Sequence, residues 1–154
     1  MSKTILVMPG SASIDLKLLR DVASPFEWSV EVVNQLPHRR RPAALLFHRD
    51  AFGHCSWRDA IRRIKATLPD VLPVVCHGVA DPVDWQELSA AGAFHSIRLP
   101  LQENEIRQSL GFIWEAENRR ALSAESRVGA RPRDIRSRPI NGHHRLVQQS
   151  KVYR

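Results

Sequence analysis

The stretch LLFHRDAFG at residues 45–53 joins an apolar run to a polar cluster and then to a glycine. The apolar part is typical of a strand that is covered by helices on both faces of a parallel sheet. His48, Arg49 and Asp50 follow it directly, and Gly53 supplies a turn. Functional side chains of α/β proteins gather at such strand ends. This segment is therefore the first candidate for a functional site.

The sequence on both sides of this stretch alternates between short apolar runs and segments with helical periodicity. The apolar runs predict strands at residues 3–8, 27–34, 43–47, 71–78 and 94–100. Helical spacing of apolar residues predicts helices at residues 11–24, 55–70, 81–93 and 102–122. In the third of these helices, Asp81 is the expected N-cap. Only four helical segments are identified, but from the regular order we interpret the chain as five strands alternating with five helices. This predicts an α/β fold with a doubly wound five-stranded parallel sheet in a (βα)5 three-layer sandwich.

The composition is that of a soluble globular domain. The chain has 154 residues, of which 43% are hydrophobic and 25% charged. It contains no apolar run near the roughly 18–20 residues that span a bilayer, and its N-terminal apolar run is too short for a secretory signal. We therefore expect a cytoplasmic protein that does not bind membranes. In that compartment Cys55 and Cys76 are expected to be free thiols.

The net charge of +7 is unevenly distributed along the chain. Residues 1–120 carry 15 Lys and Arg against 14 Asp and Glu, whereas residues 121–154 carry 8 against 2. The regular apolar pattern also stops near residue 122, and the segment that follows has too few apolar residues to form a core. The sequence thus predicts a folded domain at residues 1–122 and a basic, disordered tail at residues 123–154.

Residues 3–120 resemble the receiver domain of response regulators, the CheY-like, flavodoxin-like module of two-component signalling. The resemblance is carried by TILVMPG at residues 4–10, PAALLFHRDAFG at residues 42–53 and LPVVCHGVAD at residues 72–81. Its most specific part is AGAFHSIRLPLQENEIRQSL at residues 91–110. The resemblance implies the receiver fold and a role in phosphorelay signal transduction.

The resemblance also implies that the phosphorylation chemistry of the family is missing. The two acidic residues that hold Mg²⁺ in receivers correspond to Pro9 and Gly10, and the phosphoacceptor Asp corresponds to His48. Asp50 would be a displaced acceptor without a metal-binding pair beside it.

Two further positions of the receiver pocket are also replaced. The Thr or Ser that contacts the phosphoryl oxygens corresponds to Gly78, and the Lys that precedes Pro100 corresponds to Leu99. We therefore expect a degenerate pseudo-receiver with no catalytic residue, no metal and no cofactor. A less favoured alternative is a small-molecule or metal sensor that uses the space left by Pro9, Gly10 and Gly78.

Other motifs for catalysis or metal binding are missing from the sequence. Six His and Cys residues invite a metal hypothesis, but they lack compact ligand spacing: His48, His54, Cys55, Cys76, His77 and His95. The chain has neither the Gly-x-Ser-x-Gly motif of a hydrolase nor a glycine-rich phosphate loop. The sequence thus predicts a protein that is not an enzyme.

The family resemblance places the expected interaction face on the last two helices and the fifth strand. Trp85 and Leu88 lie on the helix before that strand, and Ile97 and Arg98 lie on the strand itself. We expect phosphorylation-independent binding of a protein partner there, such as a histidine kinase or another signalling protein, and the same face would allow a homodimer. The alternative function is a nucleic-acid-associated regulator that uses the basic tail, with HRRRP at residues 38–42 as a second basic segment.

Overall fold

Five parallel strands form one sheet in the computed structural model, which describes residues 3–129. The strands are β1 (Thr4–Met8), β2 (Ser29–Val32), β3 (Ala44–Phe47), β4 (Leu72–His77) and β5 (His95–Arg98). Their spatial order is β2-β1-β3-β4-β5, so β2 and β5 are the edge strands. All four strand pairs are parallel. The predicted doubly wound α/β sheet is confirmed.

Helices cover both faces of the sheet. They are α1 (Leu16–Ala23), α2 (Trp57–Thr67), α3 (Trp85–Ala91) and α4 (Glu103–Gly129). The helices α1 and α4 cover one face, where Leu19 and Ile106 are fully buried. The helices α2 and α3 cover the other face through residues such as Ile61 and Leu88. Because each of the central strands is buried on both faces, β3 is apolar throughout.

The connection between β2 and β3 contains no helix, which corrects the expectation of five helices. Residues 33–43 make the connection without regular structure. Pro37 and Pro42 lie within it, and proline both lacks the backbone donor of a helix and disfavours helical geometry in the residue before it. Val33 and Leu36 are partly buried against the core where a helix would lie. The side of α2 that such a helix would cover is therefore open.

Helix α4 extends beyond the predicted domain end. It has 27 residues and ends at Gly129, and every residue from 119 to 129 is exposed. No proline interrupts residues 103–129, so the helix begun in the packed segment can continue one hydrogen bond at a time. The segment predicted to be disordered from residue 123 thus starts inside a helix, and residues 130–154 lie outside the described residues. Within residues 3–129, no helix is long and apolar enough to cross a membrane.

Candidate functional site

The candidate site lies where the loops after β1, β3, β4 and β5 meet at the carboxyl edge of the sheet. The loops carry these positions in chain order: Pro9, Gly10 and Ser11; His48, Arg49 and Asp50; Gly78 and Asp81; Leu99 and Pro100. Parallel sheets of this type bind ligands at this edge. The side chains at these positions therefore determine which ligand this edge can hold.

His48 directly follows β3 and is the N-cap of a single 3₁₀ turn (Arg49–Phe52). Its Nδ1 atom accepts a hydrogen bond from the backbone N–H of Asp50 at 3.3 Å. Its ring packs edge-on against the Trp57 ring, with 5.4 Å between the centroids. The side chain is only 13% exposed. At the position that resembles the phosphoacceptor, His48 therefore serves as a packed cap of a turn.

Asp81 joins the loop after β4 to the end of β3. Its Oδ1 atom lies 3.2 Å from the guanidinium of Arg49, and its Oδ2 atom lies 3.7 Å from Nε2 of His48. The expected role of Asp81 as N-cap of α3 is wrong, because Asp84 accepts the hydrogen bonds from the first turn of that helix. The helix begins three residues later than predicted, which leaves the Asp81 carboxylate facing the Arg49 guanidinium and the His48 ring.

Asp50 joins the same turn to the loop after β1. Its Oδ2 atom accepts a hydrogen bond from the Ser11 hydroxyl at 2.5 Å. This bond is the main cause that lowers the pKa of Asp50, and the nearby charges of His48, Arg49 and His54 lower it further. The side chain remains 46% exposed. Asp50 is thus an ionised carboxylate with a protein donor of its own.

The space expected beside Gly10 is filled by backbone. A Cβ atom at Gly10 would lie 2.6 Å from the backbone nitrogen of Ala51 and 2.8 Å from the carbonyl carbon of Asp50. Gly10 also has a φ of +58°, where a side chain is strained. The expectation of room at this point is therefore wrong. A Cβ atom at Gly78 would meet nothing within 4 Å, so the space there is open.

The residues at this edge do not fit the Mg²⁺ of a receiver. Pro9 and Gly10 offer no carboxylate where oxygen ligands would be needed. Leu99 places a partly buried apolar side chain, packed against the core, where a receiver has a cation, and its bond to Pro100 is cis. Within residues 3–129, no three His, Cys, Asp or Glu side chains are grouped so as to hold a metal ion.

The expected interaction face is only partly a surface. Leu88 and Ile97 are each 2% exposed and belong to the core, which corrects their assignment to a contact surface. Their positions follow from the alternation of buried and exposed sides on α3 and β5. Trp85 is 40% exposed, and Arg98 is exposed as well.

The sequence analysis missed an aromatic residue beside the edge strand β5. Phe112 of α4 is 41% exposed and packs edge-on against His95 of β5, with 5.4 Å between the ring centroids. The two residues line a cavity of about 340 Å³ with Phe94 and Arg119. Phe112 lies off the buried stripe of α4, and a large aromatic residue in that position was the available signal.

Comparisons with known proteins agree with this architecture. No family model matches the chain, and no curated protein matches it either. Among solved structures, a response regulator from Thermotoga maritima is 18% identical, with a TM-score of 0.57 over 73% of this chain and 98% of that one. The receiver domain of a Luxo repressor protein from Vibrio parahaemolyticus is 12% identical, with a TM-score of 0.61 over 79% and 98%.

A longer protein shares the fold over part of its length. NtrX from Brucella abortus is 16% identical with a TM-score of 0.61, and the match covers 85% of this chain but 31% of that one. The chain thus has the fold of response-regulator receiver domains. At these identities the likeness shows the fold alone.

Proposed function

We propose that this chain is a pseudo-receiver, a signalling module that works in two-component pathways without aspartyl phosphorylation. It binds a protein partner through α3, β5 and α4. One observation carries the proposal: at the edge where a receiver holds its phosphoryl group and metal, protein side chains fill the space and pair with one another. Phosphoryl transfer depends on a metal held by carboxylates and on a cation beside the phosphoryl group, and Pro9, Gly10 and Leu99 offer no side chain for either role.

The polar network at the edge supports a fixed state. Receivers change state because a new phosphoryl group binds one of two conformations better. In this chain Asp81 already engages Arg49 and His48, and Ser11 already engages Asp50. Three loops are therefore tied together in the unmodified protein, which favours one conformation without an input.

The edge strand β5 and its flanking helices support the interaction surface. Trp85 on α3 and Phe112 on α4 expose aromatic surface on either side of β5. Aromatic residues and arginine are enriched at protein interfaces, and Arg98 ends the strand between them. The surface fits a partner protein that offers an apolar contact with an acidic rim, or a second copy of the chain.

Thermal unfolding of the full chain with and without Mg²⁺ and beryllofluoride tests the phosphorylation-independent role. A ligand that binds only the folded state raises the midpoint. We expect no shift for the wild type and no shift for His48→Asp, because a new carboxylate at residue 48 still lacks the acidic pair at Pro9 and Gly10. A phosphorylatable receiver serves as the positive control. A Mg²⁺-dependent shift in the wild type would contradict the proposal.

Photo-crosslinking in the native host tests the surface. A photoreactive phenylalanine analogue at residue 112 should crosslink to a discrete partner, whereas the same analogue at Lys17 on α1 should not. Arg98→Glu should reduce the crosslink from residue 112, because it reverses an exposed charge at the end of β5. Equal crosslinking from residues 112 and 17 would contradict the assignment of this face as the binding surface.

A further inference from the structure

A basic groove runs along α2 where the connection between β2 and β3 has no helix. Two cavities of about 520 and 420 Å³ form it, and they share His38 and Thr67 as lining residues. The larger cavity, called the upper cavity, is bounded by Met8 at the end of β1. The smaller one, called the lower cavity, is bounded by Val71 immediately before β4. Met8 is level with Val75 across the sheet and Val71 lies four residues earlier, so strand rise separates these ends by about 13 Å along the strand direction. The groove is therefore a continuous channel down one side of the sheet.

Arginine side chains line the groove from end to end. Arg39 and Arg41 are exposed in the lower cavity, and neither has a hydrogen-bond or ion-pair partner within residues 3–129. Arg63 lines the upper cavity, where it donates a hydrogen bond to the carbonyl oxygen of Phe52 at 3.1 Å and lies 5.3 Å from the centre of the Phe52 ring. These contacts hold the Arg63 guanidinium in place and leave its charge unneutralised.

Two acidic residues lie nearest the groove. Glu31 forms a bidentate pair with Arg40, at 2.5 and 2.8 Å. Asp70 lines the lower cavity and interacts electrostatically with Lys65, without a salt bridge. The charges of Arg39, Arg41 and Arg63 therefore outnumber the one carboxylate that the described residues place in the groove, which leaves the groove positively charged. Three like charges along one channel favour an anionic polymer.

We propose that this groove binds the phosphate backbone of a nucleic acid. An amphipathic helix fits poorly, because Met8 and Phe52 are already buried and none of the large exposed apolar residues lines either cavity. A nucleic-acid strand presents a continuous row of phosphates along its backbone, which matches a channel of about 13 Å that is lined by spaced guanidinium groups. No exposed aromatic ring lines the groove for base stacking, so recognition is of the backbone and independent of sequence.

The proposal does not depend on the absence of phosphorylation. It develops one part of the alternative drawn from the sequence, which placed nucleic-acid binding in the basic tail with HRRRP at residues 38–42 as a second basic segment. That tail lies outside the described residues from residue 130 onward. The groove belongs to the folded domain, so its contribution can be separated from that of the tail by substitution.

Fluorescence anisotropy of the full chain tests the groove. The probes are a labelled single strand and the matching duplex, each of about 20 nucleotides per strand, and the salt concentration is varied over about 50–200 mM. We expect Arg39→Ala/Arg41→Ala/Arg63→Ala to weaken binding at least tenfold at about 100 mM salt. The slope of log K against log salt should fall by about 2–3, since each lost contact removes about 0.7 for a single strand and 0.9 for a duplex. The loss of affinity for the single strand, compared with the loss for the duplex, identifies which form of nucleic acid the groove prefers.

A matched control keeps the total charge change the same. Lys17→Ala/Arg20→Ala/Arg58→Ala removes three cations from α1 and from the first turn of α2, outside both cavities, and should change affinity less than threefold. If the Arg63 change impairs folding, Arg39→Ala/Arg41→Ala alone should still lower the slope by more than 1. The circular dichroism melting curve of each variant identifies any folding defect.

Three results would overturn the proposal. The first is wild-type protein that binds neither probe at the lowest salt. The second is unchanged affinity in the groove variant while alanines at Arg131, Arg133 and Arg136 abolish binding. The third is equal competition by polyglutamate at the same charge concentration, which would assign the groove to acidic proteins.

Discussion

The guanidinium of Arg49 lies 3.2 Å from the carboxylate of Asp81, and this ion pair ties the end of β3 to the loop after β4. The guanidinium also lies 5.9 Å from the centre of the Trp57 ring, so one cation is shared between a carboxylate and an aromatic face. The pair lies at the carboxyl edge of the sheet, where parallel sheets of this type bind ligands. Under the proposed function, this internal contact between two protein side chains would replace a contact that receivers make with a ligand.

Asp81→Asn should destabilise the fold modestly. The substitution removes the negative charge that faces Arg49 and His48, and a partly exposed pair of this type contributes about 1 kcal/mol or less. Urea denaturation at neutral pH measures the change in the free energy of unfolding. Asp21→Asn on α1 is the control, because the Asp21 carboxylate has no partner within residues 3–129 and should change stability by less than about 0.3 kcal/mol. Equal effects in the two variants would contradict the network.

Gly10→Ala should be far more damaging than Gly78→Ala. At Gly10 the positive φ alone costs about 1–2 kcal/mol, and the new Cβ atom would lie 2.6 Å from the nitrogen of Ala51. We therefore expect a loss of at least about 2 kcal/mol in the free energy of unfolding. Gly78 has an ordinary φ and open space, so its alanine variant should be neutral or slightly stabilising. Similar midpoints for both variants would show that the loop after β1 does not pack against the Asp50 turn.

Ser11→Ala should raise the pKa of Asp50 towards its ordinary value of 3.8, because the Ser11 hydroxyl is the main group that lowers it. A carboxylate with a lowered pKa in the folded state adds stability above its unfolded pKa, and that stability is lost as the pH falls through the folded value. The variant should therefore lose less stability than the wild type between pH 5 and the acid limit. Carbon-detected NMR titration of the Asp50 carboxyl measures the pKa directly, and an unchanged value would exclude the hydrogen bond.

The two thiols should differ sharply in reactivity. Burial raises the pKa of Cys76 to about 12, so almost no thiolate forms at neutral pH, whereas Cys55 is partly exposed. In the native protein, a disulfide reagent should react quickly with one thiol, and Cys55→Ser should abolish that fast phase. Cys76 should react only at the rate at which the protein opens. Two fast thiols in the wild type would contradict the buried position of β4.

The sequence predicted the sheet well because its signal is local. Each central strand is an unbroken apolar run, and the run at β3 ends in polar residues at the position of the site. The helix between β2 and β3 was expected from the regularity of the other units, although residues 33–43 themselves carry two prolines that oppose it. A repeating pattern was extended over a segment whose own residues do not support it.

The contacts at the site could not be predicted from spacing. Asp81 and Asp84 both stand near the start of α3, and only the position of the first helical turn determines which carboxylate caps it. The choice of Asp84 leaves Asp81 near Arg49, a contact between residues far apart in the chain. Leu88 and Ile97 were likewise assigned by family position, whereas their burial depends on the orientation of α3 and β5 against the core.

The exposed end of α4 has a fixed length and a fixed rotational phase relative to the sheet. Arg120 donates a hydrogen bond to the backbone carbonyl of Asp70, just before β4, and so anchors the helix to the domain. From Arg120 the helix continues to Gly129 and rises about 14 Å at 1.5 Å per residue. A helix has a fixed phase, so inserting two residues before Gly129 would rotate Gly129 by about 200° around the helix axis while moving it only about 3 Å. Any partner that contacts both the domain and the exposed turns up to Gly129 must therefore match both a distance and an angle.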